Sequence, residues 1–156
     1  MLKIYTVAFL GHRYIERVLP LEEMLEEQLQ RLILEKEYID FLVGRHGDFD
    51  RIASSSVRRV QKKIRDDNSS LVLLLPYETA DFRNNQKYYE EYYNQIEFSH
   101  RAMGAYPKAA IGLRNFEMVD RADLVICYVT REEGGAWRAV KYAMEQKKTI
   151  INLADK

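Results

Sequence analysis

The sequence predicts an α/β fold, a three-layer α/β/α sandwich around a mostly parallel sheet. Two observations predict it. Short apolar runs rich in β-formers alternate with amphipathic helical stretches along the chain. Each run is closed by glycine, proline or a polar turn rather than by a hairpin signal.

The first run, Ile4 to Leu10, ends at Gly11 and reads as a strand apolar on both faces. Pro20 suits the first turn of a helix. Leu21, Leu25, Leu29 and Leu32 then recur at spacings of four, four and three, giving an amphipathic helix to about Glu37. Tyr38 to Val43 is a second strand, closed by Gly44. A second helix is expected from Phe49 to about Arg65, with Ile52, Val57, Val60 and Ile64 facing inward. Leu71 to Leu75 is a third strand, broken by Pro76. Residues 77–108 are the least regular, with Tyr88, Tyr89, Tyr92 and Tyr93 in a charged, helical stretch and Pro107 as a break. A short helix from Leu113 to Ala122, a strand from Leu124 to Val129, a helix from Ala136 to Gln146 and a strand from Thr149 to Leu153 complete the chain. The expected strand order is Rossmann-like; a flavodoxin-like order of the same elements fits this alternation nearly as well.

The 156 residues fit one domain, 1–156. Charge is balanced at 24 basic and 24 acidic residues, so a general nucleic-acid binder is not expected. The single cysteine, Cys127, excludes an internal disulfide and points to a reducing, cytoplasmic setting. The N-terminus lacks signal-peptide features, and the longest apolar run, Leu71 to Pro76, is too short to span a bilayer, so no membrane partner is expected. Three histidines and one cysteine make a metal cluster improbable, and no cofactor is expected.

In open α/β sheets ligands bind outside the carboxyl ends of the strands. The residues there are Gly11-His12-Arg13, Gly44-Arg45-His46-Gly47-Asp48, Pro76-Tyr77-Glu78 and Thr130-Arg131-Glu132-Glu133-Gly134-Gly135. Glycine lets a ligand approach the backbone, and arginine offers donors matched to phosphate or carboxylate. Gly134-Gly135 opens a helix, whose N-terminus favours anions. These features describe an anion pocket for a small nucleotide or nucleotide derivative. Neither G-x-x-x-x-G-K-[ST] nor G-x-G-x-x-G is present. Arg114 and Asn115 join the pocket if a helix begins near them. Arg45 and His46 hold a similar place, Trp137 is a stacking or packing residue, and Asp50 reads as a charge favoured by a helix N-terminus.

Four segments resemble the SLOG superfamily, the Rossmann-like group of the LOG phosphoribohydrolases and DprA, and above all its small stand-alone YpsA-like branch. They are Val7-Ala8-Phe9-Leu10-Gly11-His12-Arg13, Phe41-Leu42-Val43-Gly44 with Gly47-Asp48-Phe49-Asp50, Arg114-Asn115 with Met118-Val119-Asp120-Arg121-Ala122-Asp123, and Gly134-Gly135-Ala136 with Tyr142-Ala143. The resemblance implies a nucleotide-like ligand between the first strand's loop and the Gly134-Gly135 loop. It also implies a homodimer or larger assembly. The LOG signature P-G-G-x-G-T-x-x-E is only partly kept from Glu133 onward. The glycine pair survives, but the later glycine, the threonine and the catalytic glutamate do not. The expected ligand-binding residues are therefore Gly11, His12, Arg13, Gly44, Arg45, Arg114, Asn115, Gly134, Gly135 and Ala136, in a non-catalytic sensor or regulatory module. The alternative is an N-glycosidic hydrolase or transferase acting on nucleoside monophosphates. A fainter likeness to nucleoside deoxyribosyltransferases implies a carboxylate nucleophile, for which Glu117 and Asp120, and also Glu78, are the candidates.

Overall fold

Strand β1 (Ile4–Gly11) divides its side chains between two cores. Val7 and Phe9 enter one and Ala8 and Leu10 the other, all buried. A strand buried on both faces belongs inside a parallel sheet covered by helices, and β1 lies there in the computed structural model, which describes residues 2–155. Its neighbours are β2 (Tyr38–Val43) on one side and β5 (Leu124–Tyr128) on the other, both parallel. The sheet continues through β3 (Ser69–Leu75) to β4 (Gln95–Phe98), and at the other edge to β6 (Thr149–Asn152). The order is β4-β3-β2-β1-β5-β6, every pair parallel.

This order decides between the two topologies the alternation allowed. With β3 outside β2, and β5 on the far side of β1, the fold is Rossmann-like rather than flavodoxin-like.

Helices α1 (Val18–Glu35) and α2 (Asp48–Lys63) cover one face. Leu21, Leu25 and Leu29 of α1 and Phe49, Val57 and Val60 of α2 pack there against Phe9, Phe41 and Leu73. The short α3 (Ala80–Asn84) and α4 (Gln86–Tyr92) add Phe82 and Tyr89 to the same core. Helices α5 (Pro107–Arg121) and α6 (Gly134–Glu145) cover the opposite face with Met118, Val119, Ala139, Val140 and Ala143. Cys127, in the middle of β5, is buried, and burial pushes its thiol pKa up to about 12. Among the described residues no helix is long and apolar enough to cross a membrane.

Three expectations need correction. Strand β4 was not expected. It has only four residues, of alternating polarity (Gln95-Ile96-Glu97-Phe98), and sits at a sheet edge where no continuous apolar run is required. Helix α5 begins at Pro107 rather than Leu113, because proline at the first helical position starts a helix instead of breaking one. Ile64, expected inward, is 39% exposed, since α2 ends before it.

Candidate functional site

Chain connections leave β1 and β5 in opposite directions, so the carboxyl ends of these strands form the switch point of the sheet. A cavity of about 250 Å³ opens there. Its walls are the loop after β1, the loops before α2 and α6, and one side of α5.

The β1 loop is built against its neighbours. His12 is buried, and its backbone N–H donates to the Tyr128 carbonyl at 3.2 Å. Its Nε2 accepts the Thr130 N–H at 2.8 Å, so the ring is neutral with its proton on Nδ1. Burial, and then the charge of Arg131, lower the His12 pKa and keep it so. The carbonyls of His12 and Arg13 take the N–H groups of Phe49 and Asp48 at 3.4 and 2.8 Å, and Asp48 Oδ2 accepts the Ile15 N–H at 2.9 Å. The first turn of α2 is therefore spent on the β1 loop. Gly11 and Gly47 allow this contact. A Cβ on Gly11 would stand 2.3 Å from the Phe49 ring, and one on Gly47 would stand 2.6 Å from the Arg13 Cα.

The first turn of α6 is not spent in this way. Its N-cap, Glu133, makes no side-chain capping bond. Gly134 has φ +91° with nothing within 4 Å of a would-be Cβ, and Gly135 is nearly as open. Gly134, Gly135 and Ala136 line the cavity. An uncapped helix N-terminus beside open glycine backbone is suited to an anion.

Arg114, on α5, is only 3% exposed. Its Nη1 donates to the Leu74 carbonyl at 2.9 Å and its Nε to Asn115 Oδ1 at 3.0 Å. The guanidinium lies flat over Gly44, where a Cβ would come within 2.9–3.0 Å of it. Among the described residues it forms no ion pair. Burial lowers its pKa, and the charge of Asp50 opposes that shift. Asp50 also lines the cavity, with Oδ2 accepting the His46 N–H at 2.8 Å. Burial pushes its carboxyl pKa upward, against the pull of Arg114. At the rim, the His46 pKa is lowered by desolvation and by the charges of Arg13 and Arg114. Three arginines (Arg13, Arg114 and Arg131) and one carboxylate (Asp50) thus line the cavity, and its field is positive.

Of the expected binding residues, Gly11, His12, Arg13, Arg114, Asn115, Gly134, Gly135 and Ala136 line this cavity. Gly44 does not, because Arg114 covers it. Arg45 does not either. Its Nη1 donates to the Tyr93 hydroxyl at 3.0 Å, its guanidinium sits 4.6 Å from the Tyr89 ring centre, and Asp81 lies 3.8 Å away. The tyrosine-rich segment is the packing around this cation, with Tyr89 and Tyr93 buried.

The carboxylate candidates lie elsewhere. Glu117 Oε1 accepts from Ser99 Oγ at 2.8 Å and from the Arg101 N–H at 2.9 Å, and Oε2 is 3.6 Å from Arg121. Asp120 pairs with Arg101 and accepts the Tyr142 hydroxyl at 2.6 Å. Both belong to the second half of α5, which runs away from the cavity toward the opposite end of the sheet, so neither can meet a ligand there. Trp137 packs with the α5–α6 core. Sequence reasoning missed Ile111 and did not give Arg131, Gly47 and Asp50 to the site. Arg131 stood in a strand-end loop already singled out, and the late start assigned to α5 hid Ile111.

No protein-family profile matches this chain, and no curated protein does. Solved structures do share its fold. DNA processing protein A (DprA) from Streptococcus pneumoniae superposes with a TM-score of 0.66 at 15% identity, over 94% of this chain and 49% of that one. DNA processing protein A from Helicobacter pylori, which binds single-stranded DNA, superposes at 0.65 and 16% identity, over 94% and 63%. The molybdenum cofactor carrier protein from Chlamydomonas reinhardtii superposes at 0.59 and 12% identity, over 97% and 78%. This chain thus spans about half to under two thirds of the two DNA processing proteins. A single-stranded-DNA binder with this fold overturns the expectation of no general nucleic-acid binding. That expectation rested on zero net charge, which does not report the local positive charge gathered at the carboxyl ends of β1 and β5.

Proposed function

We propose that this chain, whose Rossmann-like fold is of the SLOG type, binds the phosphate of a nucleotide or nucleotide-derived ligand at the carboxyl ends of β1 and β5. Arg114 carries the reading. Burying a guanidinium costs several kcal/mol unless an anion compensates it (on the order of 3–5 kcal/mol when a partner is missing). No carboxylate forms an ion pair with Arg114 among the described residues; the one whose charge reaches it, Asp50, lines the same cavity, and burial pushes the Asp50 pKa upward. A phosphate between Arg114 and the first turn of α6 would complete both. The cavity, at about 250 Å³, is near the lower end of small-molecule sites, roughly 300 Å³. We place the chain in the stand-alone YpsA-like branch and read it as a sensor rather than an enzyme. The LOG glutamate is absent, and Glu117 and Asp120 lie outside the cavity.

One observation favours a second reading. Asp50 presents a carboxyl to the cavity with its pKa raised by burial, so cleavage or transfer at an N-glycosidic bond would have a general acid to protonate the departing base. Overnight incubation with nucleoside monophosphates, read by chromatography, tests it; intact substrates throughout would sink it.

The binding reading is tested by thermal shift with nucleoside monophosphates, cyclic dinucleotides, ADP-ribose and a short oligothymidylate. A ligand at a hundredfold its Kd adds about 2.7 kcal/mol, which raises Tm by roughly 5–10 °C in a domain of this size. Gly135→Asp, which sets a negative charge at the uncapped turn, should abolish the shift without unfolding the protein. The oligothymidylate arm separates a free nucleotide from one unit of a strand. Equal, flat melting curves with every ligand refute the proposal.

A further inference from the structure

A second cavity of about 140 Å³ lies beside the first at the same edge of the sheet. The two share a wall made by His46, Ile111 and Arg114. Beyond that wall the surroundings change character. The end of β3 and the turn after it supply Leu75, Pro76 and Tyr77. Arg45 also lines this second lobe, but its charge is already engaged by Tyr93, Tyr89 and Asp81. The carboxylate of Asp81 is occupied in the same network, taking the Tyr89 hydroxyl.

Tyr77 is the exception in this aromatic neighbourhood. Phe82, Tyr88, Tyr89, Tyr92 and Tyr93 pack on one another. Tyr77 pairs with no ring, makes no side-chain hydrogen bond among the described residues, and is 39% exposed. Pro76 holds the turn that carries it, since its ring restricts φ. An aromatic face left open at the mouth of a cavity is a platform for another flat ring.

The two lobes therefore differ as the two ends of a nucleotide do. One is cationic with an uncapped helix end; the other adds Leu75, Pro76, Tyr77 and Tyr89, and its own charges beyond the shared Arg114, those of Arg45 and Asp81, are already engaged with each other and with tyrosines. We infer that the ligand lies across the wall formed by Arg114, with its phosphate in the first lobe, its sugar over His46 and Ile111, and its base in the second lobe against Tyr77. This rests on the phosphate reading above and names what that reading leaves open, the recognition of the base.

The test is isothermal titration of wild type, Tyr77→Ala, Tyr77→Phe and Arg114→Met with ribose 5-phosphate and the four common nucleoside 5′-monophosphates. Base–aromatic stacking predicts that at least one nucleotide binds wild type about tenfold or more tightly than ribose 5-phosphate. Tyr77→Ala should remove that advantage and leave ribose 5-phosphate unchanged. Tyr77→Phe should retain it, because the ring is kept. A nucleotide affinity indifferent to Tyr77→Ala, or no advantage of any nucleotide over ribose 5-phosphate, overturns the inference. If Arg114→Met weakens every ligand in those cases, the phosphate reading survives on its own. Absence of binding by all five ligands overturns both.

Discussion

Replacing Arg114 by methionine separates what the guanidinium does for the fold from what it does for a ligand. The substitution keeps an unbranched, flexible stem of four atoms and removes the guanidinium with its charge. In the folded protein it deletes two bonds from a charged donor, one to the Leu74 carbonyl and one to Asn115 Oδ1. Each is worth about 1.5–3 kcal/mol. Against that loss, methionine no longer buries a cation that is 3% exposed, a cost of several kcal/mol, on the order of the bonds lost. The two terms nearly cancel, so unfolding in urea should change by less than about 2 kcal/mol, a Tm change of under roughly 8 °C. Ligand affinity has no such compensation. Losing one charge-assisted contact to phosphate should weaken binding about 10- to 150-fold. Urea unfolding and calorimetric titration of the same preparation measure both. Unchanged phosphate affinity would refute the role assigned to Arg114. A loss of stability beyond about 5 kcal/mol would do the same, because it would identify the guanidinium as a structural centre that needs no ligand.

Other perturbations bear on the surroundings of the site. Gly11→Ala drives a Cβ to 2.3 Å from the fully buried Phe49 ring and should cost about 2 kcal/mol by overpacking, read as a Tm lower by roughly 4–8 °C; an unchanged Tm would mean the loop yields freely. His12 should shape the acid limb of stability. Its pKa is lowered in the fold, so below the ordinary value of about 6.5 the unfolded chain takes up a proton that the folded ring refuses. Its contribution is complete above that pH and is lost as pH falls through the folded value. His12→Gln should flatten this limb in urea midpoints measured across pH, and a limb as steep as in wild type would count against the neutral tautomer at Thr130. Glu117→Ala removes the acceptor of Ser99 Oγ and the Arg101 N–H and should cost about 2–3 kcal/mol of stability. It should leave nucleotide affinity intact; a selective loss of binding would return Glu117 to the site.

Much of this protein is written locally. The leucine spacing of α1, the apolar runs of β1, β2, β3 and β5, and the glycine pair that opens α6 are patterns within a few residues of each other, and they determined the α/β class and pointed to the strand ends. Strand β4 and the start of α5 escaped because a short edge strand needs no apolar run and a proline can begin a helix as well as stop one.

The site itself was decided by contacts that no local pattern encodes. His12 Nε2 meets the Thr130 N–H across 118 residues, and Arg114 reaches the Leu74 carbonyl across 40. Gly11 and Gly44 stand at strand ends, where a glycine can cradle a ligand, yet Phe49 and Arg114 occupy the space they leave, while Gly134 and Gly135 remain open. Arg45 and Arg114 are equivalent as residue types, but Arg45 is held by Tyr93 and paired with Asp81, whereas Arg114 forms no ion pair among the described residues and feels only the more distant charge of Asp50. Residue type and spacing set which groups are brought to the edge of the sheet. Which of them keeps an unmet charge or an open backbone depends on what packs against it, and that is a property of the assembled fold.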